Sequence, residues 1–474
     1  MKKIYLLGGA LATMVLTTGV ASAASGPSVV VAATNDLGMH CVCMTFDKFM
    51  LLPPFNTLRA QVIRRGSEPQ IMADPTKIRV VYNIVEDTKA ALDADPYYQS
   101  WVKNAPKLFP GFNPKDSKGN YQGLTGAKLS GEMQAHSDQG WWEIKGIPAY
   151  PNIDPNGVMI DPLGGPKRNP FLTANIKVYD RATNTLLAQT NTVAPAGFGG
   201  CCSCHLQVAA DYGFPATPDG SFQAMGYLHQ RDTGINIAKI DPDGDGVPGP
   251  IRCSQCHLDP AMGESTPPGY AGYPVSQYTF SDVLHRFHVQ SKAALSMDPN
   301  LATDCYRCHP GNGVNCYRGL HTQKTIGTPA HNVWCTDCHG DLNQRVAQHQ
   351  MDQPWSDATL PQCATCHSNT GEGNGYLSTG IFGKYLNSRG HEDNKILCST
   401  CHGEPHALYP STLAKDNQQM INLQGSSQPL GATSCNACHT DRPYGGSPHG
   451  SSTSSSSSTS SSDYSSYSSK SSDD

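Results

Sequence analysis

The pattern Cys-x-x-Cys-His occurs seven times between residues 201 and 439, and no other feature of the sequence constrains the fold as strongly. A histidine follows the second cysteine in every case. With histidine at roughly 4% of residues, seven such matches by chance have a probability on the order of 10⁻¹⁰. The motif residues are Cys201, Cys204 and His205; Cys253, Cys256 and His257; Cys305, Cys308 and His309; Cys335, Cys338 and His339; Cys363, Cys366 and His367; Cys398, Cys401 and His402; and Cys435, Cys438 and His439.

The spacing within the motif suits covalent attachment of haem. Two thiols on one turn of backbone can add to the two vinyl groups of the porphyrin, and the adjacent imidazole then reaches the iron as its fifth ligand. Zinc ribbons also use Cys-x-x-Cys pairs, but they do not need a histidine after each pair. A disulfide framework would not produce a fixed pentapeptide. The sequence therefore predicts seven haem c groups, with the seven motif histidines as proximal iron ligands.

The sixth iron ligand is expected to be a second histidine. Nine histidines but only five methionines lie outside the motifs beyond residue 200. Two imidazoles per iron give closed sites with low reduction potentials, which suit electron transfer better than substrate chemistry. His285 and His288 are three positions apart, so on a helix they share a face and can serve two neighbouring haems. The predicted distal ligands are His229, His285, His288, His331, His391, His406 and His449, with His321 and His349 in reserve.

The amino terminus predicts export. Two lysines precede an apolar stretch that runs to about residue 20, and Ala21-Ser22-Ala23 fits a cleavage signal. The alternative is a membrane anchor, but the stretch is short for a span. Residues 1–23 are thus predicted to be a signal peptide, with no membrane span after its removal. The expected location is the periplasm, the extracellular space or the cell surface.

Three further segments follow from composition and periodicity. Residues 24–196 contain short β-like runs with an expected hairpin turn at residues 180–184, which predicts a small haem-free antiparallel β-domain resembling a sandwich. Residues 197–449 hold all the motifs and few aliphatic residues. They predict a heptahaem cytochrome c domain, rich in loops and short helices, with little regular secondary structure and with porphyrins supplying its apolar interior. Residues 450–474 predict a serine-rich disordered tail.

Charge excludes some partners. Charged residues make up 15% of the chain and the net charge is −5, so no basic surplus indicates a nucleic acid or an anionic membrane as a partner.

The motifs leave four of the 18 cysteines unassigned: Cys41, Cys43, Cys202 and Cys316. Disulfides among them fit an oxidising compartment, although Cys41 and Cys43 are poorly placed to bond each other. Metal binding or contact with the first haem is an alternative for His40-Cys41-Val42-Cys43, and an irregular eighth haem is an alternative for Cys316.

The segment Asp241-Pro242-Asp243-Gly244-Asp245-Gly246 resembles the start of a calcium loop, because oxygen ligands alternate along it. Asp241, Asp243 and Asp245 are the candidate Ca²⁺ ligands. An Asp/Gly turn is the alternative, since Arg252 stands where the closing glutamate of such a loop would be.

Blocks around the motifs resemble multihaem cytochromes of metal-respiring bacteria. They are residues 390–411 around the sixth motif, with residues 416–419 and 423–425; residues 334–340 around the fourth; residues 284–288; and residues 35–41 and 52–57 in the amino-terminal half. The resemblance covers most of the chain beyond residue 23. It implies electron transfer outside the cytoplasm, often toward extracellular acceptors. Cys202 and the serine-rich tail do not match the family.

The sequence therefore predicts an electron carrier or conduit with redox proteins or extracellular acceptors as partners. Assembly into a haem filament, a homopolymer, is compatible with this function. The alternative is a multihaem oxidoreductase that reduces a small oxyanion at an open haem.

Overall fold

The structure is a computed structural model, and it describes residues 27–36, 40–259, 266–290, 302–310, 314–348, 389–390, 396–431 and 434–441. Several predictions from the sequence fall outside the described residues. They are the signal peptide at 1–23, the tail at 450–474, the fifth motif with Cys363, Cys366 and His367, and the distal candidates His349, His391 and His449.

Ten α-helices lie in the described residues. They are α1 (Lys89–Ala94), α2 (Pro96–Leu108), α3 (Cys201–Asp211), α4 (Pro218–Thr233), α5 (Phe280–Gln290), α6 (Ala302–Cys305), α7 (Cys335–His339), α8 (Leu342–Ala347), α9 (Cys398–His402) and α10 (Ala414–Gln424). Short 3₁₀ helices span Ile237–Lys239, Cys253–Gln255, Leu320–Gln323, Pro405–Ala407 and Cys435–Ala437.

Eighteen β-strands lie in the same residues. They are β1 (Val29–Asn35), β2 (His40–Val42), β3 (Phe49–Met50), β4 (Asn56–Arg64), β5 (Gln70–Ile71), β6 (Ile78–Ile84), β7 (Ser130–Glu132), β8 (Gln134–His136), β9 (Trp141–Ile147), β10 (Asn152–Ile153), β11 (Arg168–Asn169), β12 (Phe171–Asp180), β13 (Leu186–Phe198), β14 (Ile251–Arg252), β15 (Thr325–Ile326), β16 (His331–Asn332), β17 (Arg389–Gly390) and β18 (Ile396–Leu397).

Two five-stranded sheets form the amino-terminal half. The first has the order β1-β4-β9-β8, with β5 also on β4, and the second has the order β2-β13-β12-β6-β7. Strand pairing is antiparallel within both sheets except between β2 and β13, which run parallel. Strands β12 and β13 form the hairpin expected at residues 180–184, where Asp180 accepts from the backbone N–H of Ala182 and Thr183.

The two sheets share one apolar core. Alternating residues of β6 and β12 are buried, as the period of two in a strand requires. This first core contains Val31, Leu58 and Val62 from the first sheet and Val80, Ile176 and Val178 from the second.

A second core surrounds helix α2. Tyr98, Trp101, Ala105 and Leu108 are buried at helical spacing and pack with Phe46, Tyr150 and Phe198. The amino terminus of helix α2 is stabilised by Asp95, which caps it by accepting from the backbone N–H of Tyr97 and Tyr98, and by Pro96 in its first turn. The same carboxylate forms a buried ion pair with Arg168.

The motif-bearing half also contains regular helices. Helix α4 has 16 residues, and α3, α5 and α10 have 11 each. Helix α4 packs against α3 and against the 3₁₀ helix Ile237–Lys239. A Cβ atom at Gly226 would lie 2.4 Å from Oδ1 of Asn236, so this close approach requires glycine. A third core here contains only Phe222, Ile240 and Ile251 as buried residues.

The fold-class prediction was wrong. The motif-bearing half is not a domain with little regular structure, and the amino-terminal half is not a small β-domain alone, because α1 and α2 stand between its strands. Helix α4 was missed because it buries small residues such as Gly220, Ser221 and Ala224, which leave no apolar periodicity in the sequence. The boundary predicted at residue 196 lies within β13, and α3 begins three residues after that strand ends.

No helix among the described residues combines the length and the apolar character needed to cross a membrane.

Candidate haem-binding site

The described motifs share a local conformation. Five begin a helical turn at their first cysteine, in α3, α7, α9 and the 3₁₀ helices that start at Cys253 and Cys435. In several the histidine N–H donates to the carbonyl of the first cysteine, at 3.0 Å from His257, 2.8 Å from His309 and 2.8 Å from His439. This turn brings the two cysteines and the histidine to one side of the backbone, as attachment to a single porphyrin requires.

Four motif histidines face a histidine from outside the motifs. The ring centres are 6.1 Å apart for His205 and His288, 6.5 Å for His257 and His229, 5.9 Å for His309 and His285, and 6.2 Å for His339 and His406. An imidazole nitrogen lies about 2 Å from a first-row metal and its ring centre about 1 Å further, so two rings on one metal have centres about 6 Å apart. The residues therefore fit a six-coordinate haem iron between each pair of rings.

Hydrogen bonds fix the orientation of three non-motif rings. Nδ1 of His285 lies 2.7 Å from the carbonyl oxygen of Ser281, Nδ1 of His288 lies 2.7 Å from that of Leu284, and Nδ1 of His229 lies 2.8 Å from that of Ile235. A carbonyl oxygen only accepts, so Nδ1 carries the proton in each ring. The lone pair is then on Nε2, the atom available to a metal.

Burial keeps several of these imidazoles neutral. It lowers the pKa of His205 to about 4, with the nearby His288 adding to the effect. Burial also lowers the pKa of His257 and that of His285. Neutral imidazole is the form that binds a metal, so the protein surroundings favour ligation at neutral pH.

The predicted distal ligand His331 is held elsewhere. Its Nε2 lies 3.0 Å from Oδ1 of Asp337, and its Nδ1 lies 3.2 Å from the carbonyl oxygen of Pro329. The hydrogen bond that His331 donates to the Asp337 carboxylate raises the pKa of His331. Both ring nitrogens are thus engaged, and His331 does not face any motif histidine that the structure describes.

For His321, His402 and His439 the structure gives a position, but none of the three belongs to the four facing pairs. His321 lies in the 3₁₀ helix Leu320–Gln323. The motif residue His402 ends helix α9, and Nδ1 of His439 lies 3.2 Å from the carbonyl oxygen of Ser67. With His349, His391 and His449 outside the described residues, the partners of the last two motif histidines stay predictions.

Short links join neighbouring sites into a series. Helix α5 carries the partners of the first and third motifs, and α4, which carries the partner of the second, packs on α3 of the first. The side chains of Cys305 and Cys335 lie next to each other, so the third and fourth motifs are neighbours. His406, the partner of the fourth motif, lies four residues after His402 of the sixth. Burial and the thiol of Cys438 in the seventh motif raise the pKa of Cys401 in the sixth to about 12. The sites therefore follow one another in the order second, first, third, fourth, sixth and seventh.

Arg318, Glu404 and Asp416 hold the segment that carries His406, and Arg318 had no signal in the sequence. The backbone N–H of Arg318 donates to the carbonyl oxygen of His406 at 2.6 Å. Its buried guanidinium binds Asp416 through two hydrogen bonds of 2.7 and 2.9 Å. The backbone N–H of His406 donates to the Glu404 carboxylate at 2.9 Å. Only Glu404 and Asp416 had a sequence signal, through the blocks that resemble the cytochrome family.

The acidic cluster predicted to bind calcium is compact but already has a cationic partner. Carboxylate oxygens of Asp241, Asp243 and Asp245 lie within 4.8 Å of one another. The Lys107 ammonium lies 2.7 Å from Asp243 and 2.8 Å from Asp245. Asp241 accepts from the backbone N–H of Gly244 and Gly246, which fits the Asp/Gly turn. Nothing in the sequence pointed to Lys107, which is more than a hundred residues away.

The four cysteines outside the motifs gather beside the second core. Cys41, Cys43, Cys202 and Cys316 all pack against it as unbonded thiols. Burial, then Cys316, raises the pKa of Cys41 to about 12, and burial, then Cys43, raises that of Cys202 to about 11. Within the described residues, Asp241, Asp243 and Asp245 form the only group of three or more ligand side chains close enough to share a metal. Cys41, Cys43, Cys202 and Cys316 are not part of that group.

Comparison with protein-family models, with curated proteins and with solved structures gives no match.

Proposed function

We propose that this chain is a multihaem c-type cytochrome that carries electrons outside the cytoplasm. The observation that supports this most directly is the set of four facing imidazole pairs, with ring centres 5.9 to 6.5 Å apart. Each pair joins a motif histidine to a histidine from a distant segment of the chain. A bound haem supplies a reversible one-electron couple, and the cysteines of the motif hold it covalently.

The chain itself closes these sites. The motif imidazole and the facing imidazole would hold the iron of a haem between them, and a backbone carbonyl sets the orientation of the facing ring in three of the four pairs. A haem held in this way would have no free ligand position for a substrate at these four sites. This favours an electron carrier over the alternative, an oxidoreductase that reduces a small oxyanion at an open haem.

The protein also keeps the sites close to one another. Helix α5 holds two partner imidazoles three residues apart, and Cys305 lies beside Cys335, so the third and fourth motifs are neighbours. A serial arrangement of this kind suits transfer between a redox protein and a periplasmic or extracellular acceptor. The resemblance to cytochromes of metal-respiring bacteria agrees with such a role, and assembly into a haem filament is compatible with it.

The test is low-temperature electron paramagnetic resonance of the purified holo-protein, combined with its haem content and a redox titration. We expect seven haems per chain, low-spin ferric signals and low reduction potentials. A substantial high-spin signal that shifts on addition of nitrite, sulfite or hydroxylamine would favour the oxidoreductase instead. Negative-stain microscopy at high protein concentration tests filament assembly, since uniform monomers contradict it.

A further inference from the structure

The haem-free half of the chain contacts the sixth motif through one buried side chain. Gln61 lies in strand β4 and is 1% exposed. Its Oε1 accepts from the backbone N–H of Leu397 at 2.8 Å and from the hydroxyl of Thr400 at 2.6 Å. Its Nε2 donates to the carbonyl oxygen of Gly140 at 2.9 Å, which fixes the amide within the first sheet. One amide thus joins the sheet to the first turn of α9.

Helix α9 has no cap of its own. It spans only the five residues Cys398–His402, and no side chain within it caps its amino terminus. A single isolated turn of helix is unstable in water, because one hydrogen bond does not offset the entropy of fixing its residues. The turn therefore depends on contacts from elsewhere to hold the two cysteines and His402 in one orientation.

In the fourth motif, the amino terminus of the helical turn is capped by a residue of the motif itself. There Asp337, just before the second cysteine, accepts from the backbone N–H of Trp334 at 2.6 Å. The equivalent residue of the sixth motif is Thr400, whose hydroxyl donates to Gln61 instead. Gln61 accepts from Leu397, the counterpart of Trp334. A residue more than 300 positions away therefore makes the contact that Asp337 makes locally.

The same strand leads to the seventh motif. Arg65 donates to the carbonyl oxygen of Asn436 at 2.7 Å, and Gly66 pairs with His439 in an isolated parallel β-bridge. Nδ1 of His439 donates to the carbonyl oxygen of Ser67 at 3.2 Å. Strand β4 and the loop after it thus contact both of the last two motifs.

We infer that Gln61 is a positioning residue for the sixth motif, through which the haem-free half sets the orientation of His402 and the reduction potential of its site. This rests on the proposed function. Groups that orient a ligand from outside its coordination sphere tune the metal it binds, because they fix the direction and basicity of the ligand.

The test compares Gln61→Leu with Gln99→Leu in the holo-protein. Gln99 donates only to Leu92 and the Tyr121 hydroxyl within the haem-free half, so its loss disturbs that half without touching a motif. We expect Gln61→Leu to shift one of the seven components of the redox titration and the low-spin signal of one haem, while the other six components stay in place. Gln99→Leu should leave all seven unchanged.

Thr400→Val provides a milder second variant, because it removes one hydrogen bond and keeps the shape of the side chain. It should shift the same component in the same direction, by less than Gln61→Leu. A titration of Gln61→Leu or Thr400→Val that matches the parent protein overturns the inference, as does an equal shift in Gln99→Leu. The haem content separates the two proposals: a parent protein without seven haems refutes the proposed function, whereas seven haems with unshifted variants refute only the role of Gln61.

Discussion

The ring centres of His285 and His309 are 5.9 Å apart and the ring planes are within 9° of parallel, although His285 lies in α5 and His309 lies beyond the end of α6. Three residues further along α5, His288 faces His205 at 6.1 Å. One helix therefore presents imidazoles to the first and third motifs.

Removing His285 or His288 of α5 should leave the facing motif histidine without an opposing imidazole. We expect His285→Ala and His288→Ala each to convert one haem of seven from low-spin to high-spin, because the facing motif histidine then has no opposing ligand. The double variant should convert two. Electron paramagnetic resonance of the ferric holo-protein measures this. His331→Ala is the matched control, since both nitrogens of His331 bind Asp337 and Pro329. A high-spin signal in His331→Ala, or its absence in the α5 variants, contradicts the pairing.

Loss of Arg168 should destabilise the haem-free half strongly. Its guanidinium pairs with the buried carboxylate of Asp95, which also caps α2. Arg168→Met leaves that carboxylate buried without its partner, at a cost of about 3–5 kcal/mol. Urea unfolding followed by tryptophan fluorescence gives the change. Arg231→Met removes an exposed pair with Asp232 and should leave the stability nearly unchanged; an equal effect of the two variants would argue against the buried pair.

Asp87 should make the protein less stable as the pH rises. Burial, with a smaller contribution from Glu86, raises the pKa of Asp87 to about 8, whereas the unfolded value is about 3.9. Between these values the unfolded chain releases the proton and the folded chain keeps it. The stabilisation is complete below the unfolded pKa and is lost as the pH rises toward the folded one, by about 1.4 kcal/mol per pH unit.

Asp87→Asn should flatten this decline, as measured by urea midpoints between pH 5 and pH 8. Asp74 provides the opposite case, because hydrogen bonds from Thr76 lower its pKa. Asp74→Asn should not reduce the decline. An unchanged pH profile in Asp87→Asn would show that Asp87 is ionised in the folded protein.

Removing the haems should unfold one half of the chain and leave the other. The first two cores lie almost entirely between residues 29 and 198, whereas the third has three buried residues. Without porphyrins, the region beyond residue 200 has too little apolar surface to offset the entropy of folding. Limited proteolysis of haem-stripped protein should yield a resistant fragment that ends near residue 200. Equal resistance of both halves, with the holo-protein as reference, would contradict this.

The sequence supplied the motifs and the candidate partners, since both depend on residue types and local spacing. It could not supply the pairing, because His205 and His288 are 83 residues apart in sequence and meet only in the folded chain. The sequence also gave no sign that Asp337 would bind His331. Asp337 is a variable position of the fourth motif, and His331 was expected to be an iron ligand. Tyr98, Trp101, Ala105 and Leu108 have the spacing of one helix face, from which helix α2 could have been predicted. The strand-like runs elsewhere in this half led to a prediction of β-structure alone.

The pairing also fixes an order of assembly. A polypeptide grows from its amino terminus, and His229 is made 28 residues before His257 (257 − 229), so the second motif has both imidazoles as soon as it emerges. For the first motif, 83 further residues must be synthesised before the chain contains His288 (288 − 205). For the fourth motif, 67 further residues must be synthesised before it contains His406 (406 − 339). The first motif to be synthesised is therefore not the first to be completed, and a nascent chain carries it with a single imidazole until α5 has been made.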